Sequence, residues 1–78
     1  MLKGIAMRYF VLIERAGQLP WGVVFGDYDR EEVVAEMREY KDRAKLCLNP
    51  KPRYRVIAIN DDSQSAINAA VAQLNSKD

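Results

Sequence analysis

The chain contains no histidine and a single cysteine, Cys47. Histidine is the side chain whose unperturbed charge change lies near neutral pH, the usual general acid or base, and the commonest metal ligand. Without it, Ser-His-Asp and Cys-His nucleophilic arrangements are impossible. One cysteine and no histidine cannot make a zinc site. Cys47 lies between Leu46 and Leu48 near the end of a helical pattern. It reads as a small buried hydrophobe, the usual state of a free cysteine. The adjacent carboxylates Asp61 and Asp62 follow a strand pattern. With Asp27 or Asp29 they could hold Mg²⁺. The reading preferred here is that they cap the next helix, because a cap is needed there and no phosphate-binding loop accompanies them. Gly22 and Gly26 are isolated and form no nucleotide-binding motif. No catalytic residue, metal site, cofactor or small-molecule substrate is evident, and the chain is expected not to be an enzyme.

Binding chemistry is better represented. Lys51-Pro52-Arg53-Tyr54-Arg55 is the one local concentration of positive charge, with Lys41, Arg43 and Lys45 as candidates to join it. Cations interleaved with an aromatic can grip phosphate and stack a base. Lys51, Arg53, Tyr54 and Arg55 are therefore the nucleic-acid-binding candidates. The competing reading is a solvated sheet edge whose cations discourage aggregation. Trp21, Tyr28 and Tyr9 could form an aromatic recognition surface. The acidic residues Asp27, Asp29, Glu31 and Glu32 are near Trp21 in sequence. Together they would make an anionic-aromatic patch suited to a basic protein partner.

These residues must be positioned by regular elements. Met7 to Glu14 alternates as a strand, with Tyr9, Val11 and Ile13 on one face and Phe10 and Leu12 on the other. Arg15 to Pro20 forms a turn, and Trp21 to Phe25 a second strand, so an antiparallel hairpin is predicted. Asp29 followed by Glu32 resembles a capping box. A helix is predicted from Arg30 to Lys45, with Val33, Met37, Tyr40 and Ala44 as its apolar stripe. Its polar face carries the i,i+4 pairs Arg38–Asp42 and Glu39–Arg43. Asn49-Pro50-Lys51-Pro52 cannot continue that helix. Arg53 to Asn60 reads as the third strand, and Ser63 to Leu74 as a second helix packing through Ala66, Ile67, Ala70, Val71 and Leu74.

The order strand-strand-helix-strand-helix predicts an α+β, two-layer ββαβα sandwich. Its three-stranded sheet has order 2-1-3 and is mainly antiparallel, with both helices on one face. The first strand is the most continuously apolar, which suits a central place. This arrangement leaves a difficulty, because both faces of the sheet carry apolar side chains. A second face bearing Phe10 and Leu12 or Tyr9 would need cover from a second copy, a partner, or the leader. Trp21, Tyr28, Tyr9, Phe10 and Leu12 are therefore the protein-interaction candidates, and a homodimer is the simplest expectation.

Whole-chain properties set the remaining limits. The 78 residues are read as a single domain with a flexible leader over 1–6 and a frayed tail over 75–78. Lys and Arg number 12 and Asp and Glu 11, so the net charge of +1 provides no global pull toward nucleic acid or an anionic membrane. No run approaches the ~20 apolar residues of a membrane span. The lone cysteine and the lack of a secretory signal point to the cytoplasm. In size and composition the chain has the look of a small accessory protein of a bacterium, phage or plasmid, without a motif that ties it to a family. The expected function is non-enzymatic binding through protein–protein contacts with self-association. Nucleic-acid binding through Lys51–Arg55 is the alternative.

Overall fold

Residues 8–46 and 51–76 are described by the computed structural model. The expectations for the leader over 1–6, Met7, Cys47, Asn49, Pro50 and the last two tail residues lie outside the described residues. The elements are β1 (Tyr9–Ala16), β2 (Gly22–Asp27), α1 (Arg30–Ala44), β3 (Pro52–Ile59) and α2 (Gln64–Ser76). The sheet has order β2-β1-β3. β1 is antiparallel to both neighbours. The fold is thus α+β with the predicted strand order.

Local chemistry accounts for the element boundaries. Gly17 adopts φ 62 in the hairpin turn, a left-handed conformation that costs glycine little. The turn closes through the Leu19 amide, which donates to the Ala16 carbonyl at 3.1 Å. β3 begins on Pro52, which lacks a ladder donor and is tolerated at the first residue of an edge strand. Asp29 is extended and accepts from the Glu31 amide at 2.9 Å, capping α1. Glu31 and Glu32 follow in the first turn, where the helix dipole favours negative charge. Ser63 caps α2 by accepting from the Ala66 amide at 3.2 Å. The i,i+4 pair Glu39–Arg43 forms at 3.9 Å, while Asp42 is held by Lys45 at 3.3 Å. Such exposed pairs contribute about 1 kcal/mol or less.

The placing of both helices on one face is corrected. Val11, Leu12 and Ile13 are consecutive in β1, so they point alternately to opposite faces, yet each is 0% exposed. Both faces must therefore be covered. Val11 and Ile13 cluster with Ile67 and Val71 of α2, and Tyr9, Trp21, Ile57, Ile59 and Leu74 pack against that cluster. α1 lies over the other face. Its Tyr40 ring sits 5.7 Å from the ring of Tyr54. Tyr54 is the register partner of Glu14 and donates to it at 2.6 Å, on the Leu12 side of the sheet. Val33 of α1 is fully buried. A right-handed crossover carries the chain from β2 to β3 over one face. The short connection after β3 leaves α2 free to take the other, where apolar side chains await cover. The sheet face expected to lack cover is thus filled by α2. Burial of each of these β1 side chains is worth roughly 1.5–3 kcal/mol.

The tail is corrected too. α2 continues through Asn75 and Ser76. The Asn75 side-chain carbonyl accepts from the Trp21 amide at 2.7 Å, and its amide nitrogen donates to the Trp21 carbonyl at 3.4 Å. This contact ties the end of the last helix to the start of β2 and removes the reason for fraying there.

Candidate functional site

The topology sorts charge. β2 and β3 both run antiparallel to β1, so they run parallel to each other. Each feeds a helix from the same end of the sheet. The sequence places carboxylates at both of these junctions, Asp27 and Asp29 before α1 and Asp61 and Asp62 before α2. One end of the molecule is therefore acidic. The opposite end collects the last turn of α1, with Lys41 and Arg43, and the start of β3, with Lys51 and Arg53. A chain nearly neutral overall is polarised along its length.

At the acidic end the Tyr9 and Tyr28 rings meet edge to face, with centroids 4.9 Å apart and planes at 71°. Such pairs are worth about 0.5–1.5 kcal/mol beyond burial. Tyr9 lies across Gly26, where an added Cβ would fall 2.5 Å from the Tyr9 hydroxyl. The glycine is therefore a seat for the ring. The Tyr28 hydroxyl donates to Asp62, joining the approach to α1 to the approach to α2. Tyr28 remains 48% exposed. Asp27 accepts from the Asp29 amide at 2.8 Å, and Asp61 accepts from the Ser63 amide at 3.0 Å and its hydroxyl at 3.2 Å. Asp29 caps α1 as expected, whereas the cap of α2 is Ser63 rather than Asp61 or Asp62, with Asp61 bonded to Ser63 and Asp62 to Tyr28. Among the described residues no group of three or more Asp, Glu, His or Cys side chains is placed to hold a metal ion.

The expected interaction residues do not share one surface. Tyr9 and Tyr28 stand together, but Trp21 lies at the other end of the sheet beside Asn75 and Arg53. Leu12 is fully buried and is a core residue, so its assignment to an interaction surface is corrected. Phe10 is half-buried on the face that α1 covers.

The basic segment is split by the pleat. Arg53 and Arg55 are exposed on the α2 side, where Arg53 pairs across the sheet with Arg15 and Arg55 with Ile13. Like charges directly opposite are unfavourable. The Arg53 guanidinium lies 5.9 Å from the Trp21 ring centroid, a cation–π contact that offsets some of this. Tyr54 points to the α1 side, engaged by Glu14 and Tyr40, with Arg43 stacked 4.8 Å over the Tyr40 ring. It therefore cannot stack a base between Arg53 and Arg55, and that part of the nucleic-acid expectation is corrected. Lys51 instead joins Lys41 and Lys45 around a shallow cleft of about 180 Å³, bounded by Ala44, Pro52 and Tyr54. Lys45 is paired with Asp42 at 3.3 Å, so the cleft carries the charge of three lysines less one carboxylate, still a balance that suits an anion.

Sequence reading missed Asn75 and Gly26 as positioning residues. The signal for Gly26 is weak, an isolated glycine late in a strand pattern, which often marks close approach by another group. Among the described residues no helix is long and apolar enough to cross a membrane. Comparison with protein-family models, with curated proteins and with solved structures finds no match for this chain.

Proposed function

We propose that the chain is a small non-enzymatic accessory protein that acts through protein–protein contacts, taking a basic segment of its partner at the acidic end. The observation that carries this reading is Tyr28. It is half-exposed, backed by Tyr9, tethered by Asp62, and set where the carboxylates at two helix starts converge. A rigid, exposed aromatic ringed by charge is a common anchor in protein recognition. The absence of histidine supports a non-catalytic role. The single cysteine supports a reducing, cytoplasmic setting.

The test is titration of isotopically labelled protein with an oligo-lysine peptide, followed by amide shifts. Shifts should centre on Asp27, Tyr28 and Asp62, weaken with salt, and shrink in Tyr28→Ala. No binding at low salt, or shifts confined to the basic end, would overturn the reading.

The cleft formed by Lys41, Lys45 and Lys51 favours a second reading, in which the basic end holds nucleic acid through its phosphates. A single-stranded oligonucleotide should then bind with steep salt dependence, and Lys45→Glu with Lys51→Glu should remove the binding. Unchanged affinity in that double variant would exclude it.

A further inference from the structure

Among the described residues, the large apolar side chains most exposed to solvent are Leu46 at 85% and Leu19 at 64%. Exposed leucines scattered singly need no explanation. These two stand at the same end of the molecule. Leu19 lies in the hairpin turn, its amide bonded to the Ala16 carbonyl. Ala16 pairs with Pro52 at the start of β3. Pro52 lines the lysine cleft together with Lys45, and Leu46 follows Lys45 just past the end of α1. Val23, also exposed, is near the start of β2 at this end, two residues beyond Trp21.

The charge around the leucines is predominantly positive. Lys41, Arg43, Lys45, Lys51 and Arg53 are all exposed. Arg43 pairs with Glu39, and Lys45 with Asp42. Lys41, Lys51 and Arg53 remain as a surplus of positive charge. Cations that surround exposed leucines match an anionic lipid bilayer, whose headgroups take the charge and whose acyl boundary takes the apolar side chains. A nucleic acid would use the cations but has no seat for the leucines, and the aromatic that lines the cleft, Tyr54, is held by Glu14. We infer that the basic end docks on an anionic membrane surface, with Leu19 and Leu46 entering the headgroup layer and Lys41 and Lys51 against the lipid phosphates. Docking of this kind lies on the bilayer and needs no spanning helix. The near-neutral total charge does not oppose it. β1 has eight residues, so the two ends of the sheet are about 25 Å apart. The Debye length is only about 8 Å at physiological ionic strength, so the carboxylates of the acidic end are screened from the lipid. The same polarity turns Tyr28 toward solution. The inference therefore goes beyond the partner reading at Tyr28 and is compatible with it, and it competes with nucleic acid for the basic end.

Vesicles provide the test. Trp21 is the only tryptophan of the chain and stands at the basic end beside Arg53, so its fluorescence reads docking directly, alongside cosedimentation. The chain should bind vesicles of phosphatidylcholine and phosphatidylserine mixed about two to one, weaken as salt rises, and ignore phosphatidylcholine alone. Each cation near such a surface is worth about a fivefold change in affinity, so Lys41→Glu with Lys51→Glu should lose about 25-fold or more. Leu19→Ser with Leu46→Ser should lose about tenfold or more on the same vesicles. Both leucines are exposed, so the melting temperature of that variant should hold. A single-stranded oligonucleotide separates the alternatives, because its affinity depends on the lysines and not on the leucines. No binding to the mixed vesicles at low salt, equal binding to phosphatidylcholine alone, or full binding by the serine variant would each overturn the proposal. Oligonucleotide binding without vesicle binding would overturn it too and give the basic end to nucleic acid. Failure of the oligo-lysine titration, which reads the acidic end, would remove only the partner reading.

Discussion

Asn75 ties the end of α2 to the start of β2, and its removal is a sharp test of how α2 is held. Asn75→Ala deletes the 2.7 Å bond from the Trp21 amide and the 3.4 Å bond to the Trp21 carbonyl. A hydrogen bond contributes about 1 kcal/mol net, and a half-buried backbone group left without its partner costs about 1–3 kcal/mol. The 3.4 Å contact is the weaker of the two, and water can reach part of the site. A loss of about 1.5–2.5 kcal/mol is therefore expected. For a chain this short, each kcal/mol lowers the melting temperature by roughly 4–8 °C. Thermal and urea melts of Asn75→Ala, beside the exposed Gln73→Ala as control, provide the measurement. Amide exchange adds a local readout, because the Trp21 amide should lose protection before the rest of β2. A change within about 0.3 kcal/mol, or a Trp21 amide as protected as before, would refute the idea that this contact fastens α2.

Other substitutions follow from the same packing. Leu12→Ala should cost about 2–5 kcal/mol by opening a cavity under α1, and should leave the per-molecule peptide affinity of the folded protein unchanged. A similar loss is expected for Val33→Ala, whose side chain is equally buried, and urea denaturation checks both. Gly26→Ala should displace the Tyr9 ring at a cost of about 1–3 kcal/mol, and Tyr9→Leu in the same chain should relieve most of it; a double-mutant cycle with no coupling would show that the ring is not seated on Gly26. Tyr28→Phe keeps the edge-to-face pair but loses the bond to Asp62, so it should destabilise by about 1 kcal/mol, less than Tyr28→Ala, as read by thermal melts.

Much of the fold was legible because its signals are local. Alternation marked β1 and β3, and the missing amide donors of Pro50 and Pro52 separated helix from strand. Asp29 marked the start of α1. The 2-1-3 order followed from a short hairpin and one crossover. The error over the helix faces came from an avoidable source. Val11-Leu12-Ile13 is apolar on consecutive residues, and a strand with that pattern is covered on both sides. Reading each helix as a stripe said how much it could bury but not where. The candidate sites were less legible. Tyr54 sits among cations in sequence, but the pleat turns it to the face opposite Arg53 and Arg55, where Glu14 and Tyr40 engage it. Trp21 lies near the acidic run in sequence, yet β2 carries that run to the far end of the sheet. Asn75 appeared to belong to a tail because nothing local distinguishes it from one.

By itself, then, the sequence determined which residues form strands and helices, which caps start the helices, and which chemistries are missing. Those properties depend on side-chain type and on neighbours a few residues away. Only the tertiary structure decided that the helices take opposite faces, that Leu12 is core, and that a nearly neutral chain has an acidic end and a basic end. These depend on chain direction. β2 and β3 run the same way past β1, so both helix starts, with their carboxylates, gather at one end, and the cations of Lys41 to Arg53 gather at the other. Charge totals carry no record of that direction.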